Sequence, residues 1–151
     1  MAGQTVALSS QGAGDASFAA LPPATTDAAG AFTATVAPSK NTTYKATFAG
    51  ASAEPTVSVS VTYRITLKVG RKGGKRSFVG KVAPSKRGRV VVIQVKTRHG
   101  WKRFAKVKLS RKSTFKLLRA LAGHKKYRFR ATTAADSKHL AGMSRVVTVK
   151  T

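Results

Sequence analysis

The 151-residue chain has no cysteine and only four acidic side chains, Asp15, Asp27, Glu54 and Asp136. The first absence removes disulfide staples and Cys-based metal sites without assigning a compartment, since many bacterial surface proteins also avoid cysteine. The second leaves little for acid/base chemistry, because the four carboxylates are scattered and form no evident pair. No apolar run approaches the roughly 18 residues needed to cross a bilayer. The opening Met1-Ala2-Gly3-Gln4-Thr5 has neither the basic nor the apolar region of a signal peptide, which suggests a fragment or an internal start.

What is present is a degenerate duplication. The segment Gly3-Gln4-Thr5-Val6-Ala7-Leu8-Ser9 is echoed by Gly88-Arg89-Val90-Val91-Val92-Ile93-Gln94. Phe32, Tyr44 and Phe48 are echoed by Phe115, Tyr127 and Ala131, each 83 positions further on. Both copies close on a Val-alternating run, Val57 to Val61 and Val146 to Val149. A repeat of this length built from short alternating strands predicts tandem β-domains. The second copy has a front end, Tyr63 to Pro84, with no counterpart in the first, so the first is expected to lack its opening strands.

Strand-like alternation in the second half falls at Arg64–Val69, Ser77–Ala83, Arg89–Lys96, Lys102–Leu109, Ser113–Leu117, Tyr127–Thr132 and Arg145–Lys150. In the first half it falls at Gln4–Ser9, Ser17–Ala20, Ala31–Val36, Thr43–Phe48 and Val57–Tyr63, with Leu21-Pro22-Pro23 and Asp27 to Gly30 as turns. Ile65, Leu67 and Val69 alternate with Arg64, Thr66 and Lys68; Tyr127, Phe129 and Ala131 alternate with Arg128, Arg130 and Thr132. One packed and one wet face per strand, at this spacing, predicts antiparallel sandwiches. The expected core of the second domain is Ile65, Val82, Val91, Ile93, Val107, Phe115, Tyr127, Phe129 and Val147. An incomplete first domain would leave Val6, Leu8, Phe32, Val36, Tyr44 and Phe48 poorly covered and a sheet edge open to self-association.

Phe78 to Pro84, Gly88 to Gln94, Gly100-Trp101-Lys102-Arg103-Phe104-Ala105, Ser113-Thr114-Phe115, Tyr127 to Ala131 and Gly142 to Val149 together resemble the immunoglobulin-like repeats of secreted actinobacterial proteins. Thr26 to Phe32 and Tyr44 to Gly50 match the same pattern. The resemblance implies an all-β chain of two tandem Ig-like antiparallel β-sandwich domains: residues 1–62 as a partial domain and residues 63–151 as a complete, strongly basic, seven-stranded one. It further implies a non-catalytic extracellular or cell-surface module, used as a spacer or in adhesion and preceded by further repeats in a parent protein. The Cys/Cys pair of antibody domains is absent.

No site for chemistry stands out. Gly50-Ala51-Ser52-Ala53-Glu54 has Glu where a nucleophile elbow needs its second Gly, so Ser52 reads as a turn residue. His99, His124 and His139 match no ligand spacing and read as surface histidines. Gly70-Arg71-Lys72-Gly73-Gly74-Lys75-Arg76 lacks the spacing and following helix of a phosphate loop. No enzymatic activity, cofactor or metal is expected.

Charge is the remaining signal. Residues 63–151 hold 27 basic side chains and one acidic one, while residues 1–62 hold two and three. Solubilising surfaces normally mix signs, and a one-sign surface repels itself unless a counter-charge is present. The predicted polyanion contacts are Arg71, Lys72, Lys75 and Arg76 in the Gly-rich loop, with Lys125, Lys126, Arg128 and Arg130. For a surface protein, anionic polymers of the cell envelope are the natural partners. The alternative is sequence-nonspecific nucleic-acid binding, for which only Trp101 and Phe104 remain as candidate stacking aromatics; Trp101 follows a Gly turn, where it either packs to cap the sandwich end or stands exposed.

Overall fold

The computed structural model describes residues 2–151. The chain is all-β, with thirteen strands and, among the described residues, no helix. It divides into two compact units: residues up to Val61 with Ser137–His139, and Thr62–Asp136 with Leu140–Thr151.

The first unit contains β1 (Thr5–Gly12), β2 (Ala19–Thr25), β3 (Thr42–Phe48) and β4 (Thr56–Val59), in the antiparallel order β2-β1-β3-β4. The registers Val6↔Phe48, Leu8↔Ala46, Ser10↔Tyr44 and Tyr44↔Val57 gather the apolar side chains on one face. Pro22 and Pro23, expected in a turn, lie inside β2. That strand is an edge, where a missing N–H can face outward instead of breaking a ladder. The expected strand Ala31–Val36 does not form, and Phe32 and Val36 each stay 41% exposed. The turn before it is built as expected: Asp27 Oδ1 accepts from the N–H groups of Ala29 and Ala31, and Gly30 takes φ +79°.

Val57–Tyr63 is shorter than expected. Its ladder ends at Val59, and the Val61 N–H donates instead to Asn41 Oδ1 at 2.8 Å. His139, expected at the surface, is buried at 7% exposure, and its Nε2 lies 2.9 Å from the carbonyl of Ser39.

The second unit is a sandwich. One sheet holds β5 (Arg64–Ile65), β6 (Lys68–Lys72), β7 (Lys75–Ala83) and β10 (Thr114–Arg119), with β5 and β6 along one side of β7 and β10 along the other. The other holds β8 (Val90–Thr97), β9 (Gly100–Lys108), β11 (Lys126–Thr133), β12 (Gly142–Met143) and β13 (Val147–Lys150). Phe78, Val82 and Phe115 from the first sheet share a core with Val91, Ile93, Phe129 and Ala131 from the second. Of the expected core, Ile65, Val82, Val91, Ile93, Phe115 and Phe129 are fully buried, while Val107, Tyr127 and Val147 pack partly buried against them.

Two deviations have local causes. Arg64–Val69 is not one strand, because the chain bends at Thr66-Leu67 against Gly80, where a Cβ would lie 2.0 Å from the Thr66 carbonyl oxygen. Phe104, a candidate stacking aromatic, turns inward: the β8–β9 register slips between Ile93 and Gln94, leaving Phe104 unpaired. Its ring then sits 5.4 Å from Phe78 and 5.2 Å from Phe129.

The sheet of the first unit repeats a layer of the second. The order β2-β1-β3-β4 matches β9-β8-β11-β13, and Leu8↔Ala46 and Ser10↔Tyr44 map onto Ile93↔Ala131 and Val95↔Phe129. The shift is 85 on both strands, so Tyr44 corresponds to Phe129 and not to Tyr127. A two-residue error along a strand keeps the face, which is why the expected face still held. Phe32 echoes Phe115 of β10, whose ladder partner is β7. The first unit has no counterpart of β7 among the described residues, so its Ala31–Val36 segment has no strand to pair with.

Candidate basic surface

Strand alternation sets the basic residues on the outer face of the β9-β8-β11-β13 layer. With Val91, Ile93, Phe129 and Ala131 pointing inward, the registers send Lys96, Arg103, Lys106, Lys108, Lys126, Arg128, Arg130 and Lys150 to the opposite side. Trp101 pairs with Lys96 and stands on this outer face, half-buried rather than packed in the core. The Arg130 guanidinium lies 4.3 Å from its ring centroid, and Lys96 Nζ lies 5.8 Å away. Arg130 Nε donates to Gln94 Oε1 at 2.7 Å, which fixes the guanidinium plane over the indole.

The Gly-rich loop is a tight hairpin joining β6 and β7. Gly73 and Gly74 take φ +52° and +69°, the left-handed pair that a two-residue hairpin turn requires. Arg71, Lys72 and Lys75 are exposed around the tip and Arg76 is half-buried. Arg76 Nη2 donates to the carbonyl of Lys150, which pairs with Lys126. Lys125 is joined to Thr151 by backbone hydrogen bonding. One end of the sandwich therefore brings together Arg71, Lys72, Lys75, Arg76, Lys125 and Lys126. Arg128 and Arg130 are not in that cluster; they continue along the outer face, opposite Thr148 and Gln94.

The acidic residues do not offset this surface. Asp136, the one acidic side chain of the second unit, accepts at Oδ2 from Lys86 Nζ, Arg89 Nη1 and the Tyr63 hydroxyl, each at 2.8 Å. Arg89 also donates to Thr133 Oγ1 at 2.8 Å and to the Ala134 carbonyl. Tyr63 is 1% exposed, and burial, with the hydrogen bond to Asp136, pushes its hydroxyl up to about 12. In the first unit Asp15 pairs with Lys40 and Glu54 with Lys45. The Lys40 hydrogen bond holds the Asp15 carboxyl below its ordinary value.

The residues considered for catalysis stay apart. Ser52 and His124 are exposed in bends and His99 is exposed in a turn, with Arg98 Nε donating to His99 Nε2 at 2.7 Å. Among the described residues no group of three or more His, Cys, Asp or Glu side chains could hold a metal ion. Sequence reasoning missed Arg103, Arg119 and Lys150 as parts of the basic surface; strand register was the signal that adds them.

No family model matches the chain, and no curated protein matches it. Among solved structures it is similar to a tetra-tandem repeat in the extending region of a large adhesion protein, at 13% identity and a TM-score of 0.49. The match covers 99% of this chain and 42% of that one, so the chain spans less than half the length of that structure.

Proposed function

We propose that this chain is a non-catalytic structural and adhesive module of the cell surface, built from Ig-like units, whose basic face holds anionic polymers of the cell envelope. The observation that carries this reading is the uncompensated outer layer: eight Lys and Arg side chains share one sheet face, and Asp136 is committed elsewhere. A sheet presents such charges at fixed spacings of about 5 Å between strands, which suits a repeating polyanion. The Ig-type assignment is supported by β5, β7 and β10 facing β9, β8, β11 and β13, and by Tyr127 at the start of β11, whose hydroxyl reaches back 3.5 Å to the Ala122 carbonyl. That reach resembles the tyrosine-corner contact of immunoglobulin-type sandwiches and supports the reading.

The test is equilibrium binding of the whole chain to a sulfated or phosphorylated polysaccharide across a salt series. Affinity is expected to fall steeply between low and physiological salt, as counterions are displaced. No binding at low salt would overturn the reading. A second reading, nonspecific nucleic-acid binding, is favoured by one feature: Trp101 stands on the basic face where a base could stack. Single-stranded DNA that quenched Trp101 and outcompeted the polysaccharide would select it.

A further inference from the structure

The registers of β6, β7 and β10 set three arginines side by side. Arg76 of β7 stands opposite Arg71 of β6 on one side and Arg119 of β10 on the other. All three share the parity of Phe78, so they follow the core row Val69, Phe78 and Leu117 and close that end of the sandwich. Like charges directly opposite on neighbouring strands repel, and here the repulsion occurs twice in one row. Among the described residues no carboxylate side chain pairs with any of the three. A row of lysines would carry the same charge and splay into water. Arginines instead present planar forks that bind oxygen pairs directionally.

We infer that Arg71, Arg76 and Arg119 form a site for a terminal tetrahedral oxyanion, a sulfate or phosphate monoester carried on a polymer. The inference rests on the polyanion reading above and narrows it to one group. Such an ester has three free oxygens in a non-planar array, and hence three oxygen pairs facing different directions, so forks from three strands can approach it together. A carboxylate has two oxygens in one plane and offers one such pair to a bidentate fork. Arg76 supplies the fixed centre, since its Nη2 is held by the Lys150 carbonyl and its side chain is half-buried. Arg71 and Arg119 are exposed and free to close from either side.

The test compares dextran sulfate, phosphorylated dextran and carboxymethyl dextran, matched in length and substitution, at one ionic strength. The whole chain is used as wild type, as R71K/R119K and as R71K/R76K/R119K. The expected result is a preference of about tenfold for the sulfated or phosphorylated polymer over the carboxylated one, lost in both variants. Affinity for carboxymethyl dextran should stay unchanged in the variants, because net charge is kept. The variant that retains Arg76 guards against a folding defect, and an unchanged thermal melt checks it. Preference in only the sulfate or only the phosphate arm supports the site and identifies the ester. Equal binding of all three polymers, unaltered by Arg→Lys exchange, overturns the site and leaves the polyanion reading standing. No binding of any polymer by the wild type overturns both.

Discussion

The guanidinium of Arg89 lies over the ring of Tyr63, 4.1 Å from its centroid, and donates to its hydroxyl at 3.1 Å. Both groups converge on Asp136, the second unit's one carboxylate side chain, which also takes the exposed Lys86. The second unit's single carboxylate side chain thus holds Tyr63, Arg89 and Lys86, while the outer sheet face stays basic.

Asp136→Asn should therefore destabilise the second unit. Removing one partner of a largely buried pair leaves Arg89 without its counter-charge, and the expected loss is about 3 kcal/mol. Urea unfolding followed by the fluorescence of Trp101, the chain's one tryptophan, measures it. A loss below about 1 kcal/mol would mean that solvent already screens the pair.

Tyr63 gives the second unit a pH dependence at high pH. Its hydroxyl is raised from 10.0 to about 12 in the folded state, so between those values the unfolded chain has released a proton that the folded one keeps. Stability from this group is complete below pH 10 and falls as pH rises towards 12, by on the order of 2 kcal/mol. The informative quantity is the difference between wild type and Tyr63→Phe, which isolates this one group. The variant should lack this component of the decline; parallel stability curves from pH 9 to 12 would contradict it.

Gly80→Ala should be among the most damaging small substitutions. An added Cβ would meet the Thr66 carbonyl oxygen at 2.0 Å and the Phe115 ring at 2.5 Å. Neither can retreat freely, since Thr66 is tied to Lys81 through its N–H and Phe115 is buried. Overpacking of this kind costs roughly 1–3 kcal/mol. A thermal melt equal to wild type would show that the β5–β6 bend moves more easily than these contacts imply.

The strands with clear alternation were legible because both faces were marked. Ile65, Leu67, Phe129 and Ala131 are buried where the period-2 pattern put them. Position along β3 was not legible, because a shift of two residues leaves every side chain on the same face and only the register with β1 fixes it. Ala31–Val36 carried a strand's composition but lacked the neighbour that would make it one, and pairing is not written in the segment itself. Of the basic surface, Arg71, Lys72, Lys75 and Arg76 could be read from the Gly-rich hairpin. Arg119 could not, because only the β7–β10 register sets it beside Arg76.

The two units should unfold separately, the first before the second. Among the described hydrophobic residues of the first unit only Val6 is fully buried, against twelve in the second. Its apolar face is open, with a groove of about 340 Å³ beside Val6, Phe32 and Phe48 and another of about 300 Å³ beside Leu8, Leu21 and Tyr44. Little buried area means little hydrophobic stabilisation to offset chain entropy. On heating, the first transition should change far-UV circular dichroism without changing Trp101 fluorescence, and residues 2–61 should exchange amide hydrogens faster than residues 63–136. Gly3 echoes Gly88, so a second copy of residues 62–87 fused ahead of Gly3 places a β5–β7 layer where the first unit has none. That fusion should raise the first transition and pair the Ala31–Val36 segment as β10 is paired in the second unit. One coincident transition by both probes, with equal protection in the two halves, would show that the single sheet of the first unit is stable as it stands.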